Sequence, residues 1–398
     1  MATAPFDAFA LSQGGARTPP AARPRVALVH DWLTGMRGGE RCLEVFCELF
    51  PEAPLFTLLH VPGSVSPVIE RRRIVTSFVQ RLPSAATRYR HYLPLFPAAV
   101  RSLSLAGHDL VISLSHCVAK AVRVPTGALH LCYCFTPMRY VWDLEDDYAR
   151  DAGWLTRVAL PPLAAALRRW DRRHNDDVDE FMANSDHIKD RIWRVYGRRA
   201  KVIHSPVDVA RFRIAEAVDD YYLVVSALVP YKRVDLAVAA ANRLGRRLLV
   251  VGTGSEEARL RALAGPAVTF LGWRPDAEVA ELYARCRAVL FPSVEDFGIV
   301  PLEAAAAGRP TIALGQGGVL ESMVGLDEGA EPPTAVFFAE PTVDALVTAI
   351  MTFEAAAGRF DPHALRARAL KFDRPLFAER VREYVDDHWS GFQARAAC

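Results

Sequence analysis

The sequence predicts an α/β protein made of two doubly wound, Rossmann-like halves that face each other across a cleft. Three observations predict it. Short apolar runs of strand length recur from Arg25–His30 to Ala335–Phe338, with too little polar alternation for one face to be wet. Amphipathic helical segments separate most of these runs, which favours parallel pairing with helices on both faces. At 398 residues the chain carries a prior of about two to three domains.

In chain order, Arg25–His30 (RVALVH) reads as the first strand, with a glycine-containing loop and a helix near Glu40–Phe50 behind it. Ala53–Leu59, Asp109–Leu114, Ala128–Phe135 and Glu180–Asn184 are the next strands, and a long helix falls around Leu163–Asp176. The second half is more regular. Its strands are Tyr221–Ser226, Arg247–Val251, Val268–Leu271, Ala288–Phe291, Pro310–Leu314 and Ala335–Phe338. Helices follow them near 232–243, 255–264, 276–286, 299–307, 317–324 and 342–356. Arg374–His388 reads as a last amphipathic helix. The expected division is a flexible tail over 1–24, a first domain over 25–205, a second over 206–370 and a terminal helix within 371–398, with a linker near Ser205–Asp219.

Composition narrows the function. Hydrophobic residues make up 51% and charged residues 24%, which excludes a largely disordered chain. The net charge of +2 argues against a nucleic-acid binder. No apolar run approaches the roughly 20 residues of a membrane-spanning helix, and the tail lacks the basic start and apolar run of a signal peptide. Seven cysteines with no CxxC spacing read as buried reduced thiols in a reducing cytosol. Charge is uneven: residues 1–210 carry a net +6 and the remainder a net −4. Residues 71–108 hold seven arginines and no acid, interleaved with Tyr89, Tyr92, Leu93, Leu95 and Phe96. That stretch is either a solvated face over core aromatics or a patch that meets anionic lipid or an anionic acceptor.

Ligands of doubly wound sheets sit beyond the carboxyl ends of the strands, so the loops there matter most. DWLTGMRGGE (Asp31–Glu40) places Gly38 and Gly39 before a helix, where backbone could approach a phosphate. It is neither a GxGxxG nor a P-loop sequence, and a plain strand–helix turn explains it as well. VGTGSE (Val251–Glu256) is a similar turn. SALVPYKRVD puts Lys232 and Arg233 at a helix start, where cations oppose the helix dipole unless a polyanion lies between. FPSVEDFGIVPLEAAAAG (Phe291–Gly308) is the most informative segment. A strand ends at Phe291, Glu295 sits in the loop, Gly298 opens a helix and Glu303 lies on it. The N–H groups of Gly298, Ile299 and Val300 can hold a phosphate while the two acids hold sugar hydroxyls.

Glu295–Glu303 resembles the E-x7-E motif of retaining, GT-B-fold glycosyltransferases of family 4. Lys232 in VPYKRVD is similar to that family's donor-phosphate lysine. Leu271-Gly272-Trp273 with DAEVAELY (Asp276–Tyr283) resembles its stretch near the nucleotide base, and Gly38 and Gly39 its N-domain glycine loop. SHCVAK, containing His116, resembles the active-site histidine segment, and CYCFTPMRYVW, with Arg139 and Tyr140, the stretch that follows it. The resemblance spans roughly residues 25–385 and is stronger in the C-terminal half. It is greatest to mannosyltransferase-like members of bacterial polysaccharide clusters. Two departures stand out: Phe135 where relatives carry His, and Ala227 where many carry Arg.

The resemblance implies the GT-B fold and transfer of a hexose from a nucleoside-diphosphate sugar, GDP-mannose first, to a glycan or polyprenyl-linked glycan. It implies a catalytic set of His116, Lys232 and Glu295. Donor contacts would come from Gly38, Gly39, Arg233, Gly272, Gly298, Ile299, Val300 and Glu303, and acceptor contacts from Arg139 and Tyr140. No cofactor and no metal are expected: Asp177-Val178-Asp179 has the letters of a metal-binding DxD but lies in a charge-rich helical stretch. The family often returns its last helix to the first domain. The expected setting is cytoplasmic, peripheral on the inner face of the cytoplasmic membrane. The alternatives are a sugar-nucleotide binder that lost catalysis, which Ala227 and Phe135 keep open, and a sugar-nucleotide epimerase of the same shape.

Overall fold

The computed structural model describes residues 24–142, 154–327 and 331–396, with Tyr140 and residues 154–160 described by backbone alone. The expected tail over 1–24 lies outside the described residues except for Pro24.

Seven strands form the first sheet: β1 (Val26–His30), β2 (Leu55–Thr57), β3 (Ile74–Thr76), β4 (Leu110–Ser115), β5 (Leu129–Cys134), β6 (Glu180–Ala183) and β7 (Ala200–Val202). Their order is β3-β2-β1-β4-β5-β6-β7. Six form the second: β8 (Tyr222–Val225), β9 (Leu248–Val251), β10 (Val268–Gly272), β11 (Ala288–Phe291), β12 (Thr311–Leu314) and β13 (Ala335–Phe338), in the order β10-β9-β8-β11-β12-β13. Every pairing is parallel. Both orders are those of the doubly wound fold, and each reverses once, between β1 and β4 and between β8 and β11. The loops after these four strands are among those the sequence singles out; VGTGSE follows β9 and CYCFTPMRYVW runs on from β5.

All eleven expected strands are present. The two unexpected ones, β3 and β7, are three-residue edge strands with little buried apolar surface. Ser115 ends β4 rather than opening the loop behind it. Gly38 and Gly39 are the first two residues of the Gly38–Leu49 helix. The expected helix over 317–324 is one turn, Val319–Ser322. Among the longer helices, Asp186–Tyr196 and Pro362–Leu370 went unread, as did the short ones Pro67–Glu70, Ala85–Arg88, Phe96–Arg101 and Arg139–Trp142. The long helix runs over Trp154–Arg173 and the last one over Arg374–Ala396.

Each sheet is buried on both faces. Leu28, Ile112 and Leu131 have no exposed surface, and burying such side chains is worth about 1.5–3 kcal/mol each. Lys120 is buried too. Its Nζ lies 3.0 Å from Asp171 Oδ1, donates to Asn175 Oδ1 at 2.8 Å, and sits over the Tyr196 ring. The lysine of the histidine segment is therefore part of the packing of the first unit. Asp177 and Asp179 are likewise committed: Asp177 pairs with Arg101 at 2.7 Å, and Asp179 accepts the His130 N–H at 2.8 Å. The six described cysteines are buried and carry no disulfide; Cys398 lies outside the described residues.

The chain passes between the units twice, on adjacent paths. Val207 N–H donates to the Phe372 carbonyl at 2.9 Å and Arg374 N–H to the Val207 carbonyl at 3.0 Å. The last helix then lies on the first unit. Phe377, Val381 and Val385 pack with Leu28, Phe46 and Tyr133, and Arg374 pairs with Glu44 and Glu48 at 2.9 and 2.7 Å. In the arginine-rich stretch, Arg71, Arg73, Arg81, Arg88 and Arg90 are exposed, with Phe78 and Leu95 beside them, while Tyr89 and Phe96 pack on Trp32. No helix among the described residues is long and apolar enough to cross a membrane.

Candidate functional site

On the second unit, Lys232 and Glu295 come from the loops after β8 and β11, on either side of the switch point, and form an ion pair. Ser293 Oγ donates to the same Glu295 oxygen at 3.1 Å. Burial alone would raise the Glu295 carboxyl, but Lys232 and Arg139 hold it below the usual range. The loop is held from behind by the loop after β12. Gly318 N–H donates to the Glu295 carbonyl at 2.9 Å, and a Cβ on Gly317 would sit 2.6 Å from that oxygen. Glycine at 317 permits this close approach, so the Glu295 backbone is fixed.

Asp296 faces the first unit and pairs with Arg139, with Arg191 Nη1 4.0 Å away. Arg139 also lies over the Tyr231 ring. A cavity of about 350 Å³ opens between the units here, lined by Arg139, Arg191, Arg233, Tyr231, Glu295 and Gln316 among others. Arg233 has φ +50°, caps the following helix from the left-handed region, and sends its Nε to Asp235 at 3.3 Å. Ala227 is exposed.

Glu303 faces the other end of the cleft. Tyr283 OH donates to Glu303 Oε2 at 2.9 Å. Burial raises this carboxyl above its ordinary value, with Arg41 and Tyr283 opposing. Arg41 of the first unit and Arg211 both reach Asp276, at 2.8 and 2.9 Å. Gly272 ends β10 with φ +69°. Gly298 has φ +85° and opens the Ile299–Ala306 helix. The first N–H groups of a helix have no intrahelical partner, so those at the start of the Ile299–Ala306 helix need partners from outside it. Gly38 abuts this point from the first unit: a Cβ there would lie 2.8 Å from Ile299 Cδ1. Gly39 sits on the His30 and Phe135 rings.

The floor on the first unit is His116. Its ring is edge-on to Trp32 at 4.4 Å and lies 6.4 Å from Phe135. Its pKa is lowered, chiefly by burial, while Asp31 pulls it upward. Asp31 is wholly buried and accepts four backbone N–H bonds, from His116, Cys117, Val118 and Ala119, at 2.7 to 2.9 Å. His30 and Glu40 lie beneath, 3.7 Å apart and both buried. The Tyr140 side chain lies outside the described residues.

The cleft therefore holds His116 and Arg139 on one wall and Lys232, Arg233, Glu295, Glu303 and the Gly298–Val300 turn on the other, with Gly38 against Ile299. Sequence reading missed Asp31, Arg41, Tyr283, Arg191 and Asp296. Asp31, Tyr283 and Asp296 all lie in segments that the motifs cover; for Asp31 the available signal was a polar residue directly behind a buried strand, whereas Tyr283 sits on the Asp276–Arg285 helix. One further group, Asp186, His204 and Glu321, offers ligand atoms within 4.8 Å of one another. Glu321 is already engaged: it accepts the N–H groups of Asp186 and His187 at 2.7 and 2.8 Å and lies 3.2 Å from His204. The group joins the units.

Residues 210–369 match the family model described as "Glycosyl transferases group 1". The chain is 30% identical over 185 residues to the D-inositol 3-phosphate glycosyltransferase of Mycobacteroides abscessus, covering 40% of this chain and 42% of that one. It is 32% identical over 212 residues to a GDP-mannose-dependent alpha-(1-6)-phosphatidylinositol monomannoside mannosyltransferase of Mycobacterium tuberculosis, covering 45% and 53%. The matches thus span about half the length of these relatives. The structure resembles the sucrose-phosphate synthase of Thermosynechococcus elongatus with a TM-score of 0.71 at 18% identity, over 93% of this chain and 100% of that one. The fold is GT-B.

Proposed function

We propose that this chain is a retaining glycosyltransferase that moves a hexose from a nucleoside-diphosphate sugar, GDP-mannose foremost, to a glycan or lipid-linked glycan acceptor. One observation carries the reading. The Lys232–Glu295 pair and Glu303 flank one helix start beyond the β8/β11 switch point, and the Arg139 charge acts on both Glu295 and His116. The match of residues 210–369 to a glycosyltransferase family and the GDP-mannose-dependent relative support it.

In this reading the leaving diphosphate lies on Lys232, Arg233 and the N–H groups of Gly298–Val300. These oppose the charge that grows as the sugar C1–O bond breaks, and one such donor is worth about 10²–10³ in rate. Glu303, fixed by Tyr283, binds the ribose hydroxyls near Gly272. Glu295 binds hydroxyls of the donor sugar. The acceptor oxygen attacks C1 from the face the diphosphate leaves, and its proton passes to the leaving phosphate. His116 orients the sugar or the acceptor, with Arg139 and Tyr140 on the acceptor side. No metal or other cofactor is required.

The exposed arginines between 71 and 90, with Phe78 and Leu95, make the first unit a candidate for peripheral contact with an anionic membrane. Their Tyr89 and Phe96 reach Trp32 and so His116. Co-sedimentation with anionic vesicles should weaken as salt rises; no binding at low salt removes this part. The donor site is tested by calorimetry with GDP-, UDP-, ADP- and dTDP-sugars. One nucleotide should bind selectively and lose binding in Glu303→Ala; equal binding in that variant refutes the site.

A further inference from the structure

We propose that Asp31 is the positioning residue of this cleft: it fixes the turn that carries His116 and keeps the imidazole proton on Nδ1, so that Nε2 is the atom offered to substrate. The inference deepens the glycosyl-transfer reading and rests on it for the word substrate.

Asp31 follows β1 and His116 follows β4, the two strands at the first sheet's switch point. Each Asp31 oxygen accepts two backbone N–H bonds: Oδ2 from His116 at 2.7 Å and Cys117 at 2.9 Å, Oδ1 from Val118 at 2.7 Å and Ala119 at 2.8 Å. Four consecutive amides thus wrap one buried carboxylate. A carboxyl that accepts at four sites has no place for its own proton, so the group is ionised. A residue that merely held the turn would need nothing more. Here the His116 ring also turns its Nδ1 to within 3.1 Å of Asp31 Oδ2. The contact is one of charge rather than an aligned hydrogen bond, and a carboxylate this close favours a hydrogen on Nδ1 over a bare lone pair there. Nε2 is left as a hydrogen-bond acceptor for a hydroxyl. Trp32 at 4.4 Å, His30 at 5.8 Å and Phe135 at 6.4 Å confine the ring on its other sides. The charged or titratable groups acting on it are Asp31, His30, Glu40 and Arg139, of which Asp31 and Glu40 favour the protonated ring.

The test uses the full chain with 15N-labelled histidine, the His116 signals being assigned by their loss in His116→Gln. Long-range proton–nitrogen correlations on the wild type should show the Nδ1–H tautomer at His116, against the Nε2–H form that free histidine prefers. Asp31→Asn should titrate His116 at lower pH and shift the tautomer. It should also slow GDP release from GDP-mannose with water as acceptor by about 100-fold in kcat, the cost of a small misplacement of an orienting group. Donor affinity should change far less than kcat, because Lys232, Glu295 and Glu303, the main donor contacts, lie on the other unit. An Nε2–H tautomer in the wild type overturns the proposal. So does a folded Asp31→Asn whose His116 tautomer, titration and kcat match the wild type. If Asp31→Asn does not fold, the wild-type tautomer decides alone. If the wild type hydrolyses no nucleotide sugar, the transfer reading fails, and the tautomer still decides the placement of His116.

Discussion

Lys232→Met removes the cation from a carboxylate that the fold has otherwise taken out of water. The Glu295 side chain is only 14% exposed and that of Lys232 19%. After the substitution Glu295 keeps the Ser293 hydroxyl at 3.1 Å and the more distant Arg139 charge. Breaking a buried pair by deleting one partner costs about 3–5 kcal/mol. The remaining partners place the loss at the lower end, about 3 kcal/mol. For a unit of this size each kcal/mol moves Tm by about 2–4 °C, so the second unit should melt about 6–12 °C earlier at pH 7. The pH dependence changes sign. In the wild type Glu295 is held below its unfolded value; its stabilisation is present above that value and is lost as pH falls through the folded one. Without Lys232, burial dominates and the folded value rises above the unfolded one. The penalty is then full at high pH and is relieved on acidification. Melting curves at pH 7 and pH 5 for the wild type, Lys232→Met and the double variant with Glu295→Gln should show the gap narrowing at pH 5. The double variant should recover most of the loss. A Lys232→Met gap that is the same at both pH values, or a double variant less stable than the single one, refutes the reasoning.

Three further outcomes follow from the geometry. Gly252→Ala should cost about 3–5 kcal/mol and leave little folded protein on a thermal melt, because its Cβ would lie 1.8 Å from the Ser226 carbonyl oxygen at φ +127°. Donor affinity should fall on acidification, because burial raises the Glu303 carboxyl and binding needs its ionised form; calorimetry from pH 7.5 to 5 should show this, with a flatter profile for Glu303→Gln. Asp171→Ala should destabilise the first unit by about 3 kcal/mol in urea, since it removes the counter-charge of a Lys120 ammonium that is 1% exposed and leaves it only the neutral acceptors Asn175 Oδ1 and the residue 171 carbonyl.

The sequence makes the sheets legible because their central strands are unbroken apolar runs buried on both faces, as in VALVH, LVISLS and AVLF. Edge strands carry no such run. Ile74–Thr76 follows three arginines and Ala200–Val202 includes a lysine, and their pairing comes from neighbours rather than from their own pattern. The site is legible where its chemistry sits in one segment, as Glu295, Gly298 and Glu303 do. It is illegible where it depends on distant chain. Asp31 finds its amides 85 to 88 positions away, and Arg139 meets Asp296 from the other unit. Lys120 shows the converse: beside His116 in sequence, it turns inward to Asp171 and leaves the cleft.

In the proposed reaction this cleft breaks the sugar–diphosphate bond with retention. Proton NMR on the wild type with GDP-mannose, with water as acceptor, reads both the nucleotide released and the anomer formed first. GDP release with α-mannose appearing before mutarotation is the predicted result. Release of β-mannose first would contradict a same-face mechanism, and a donor that binds yet stays intact would contradict catalysis itself.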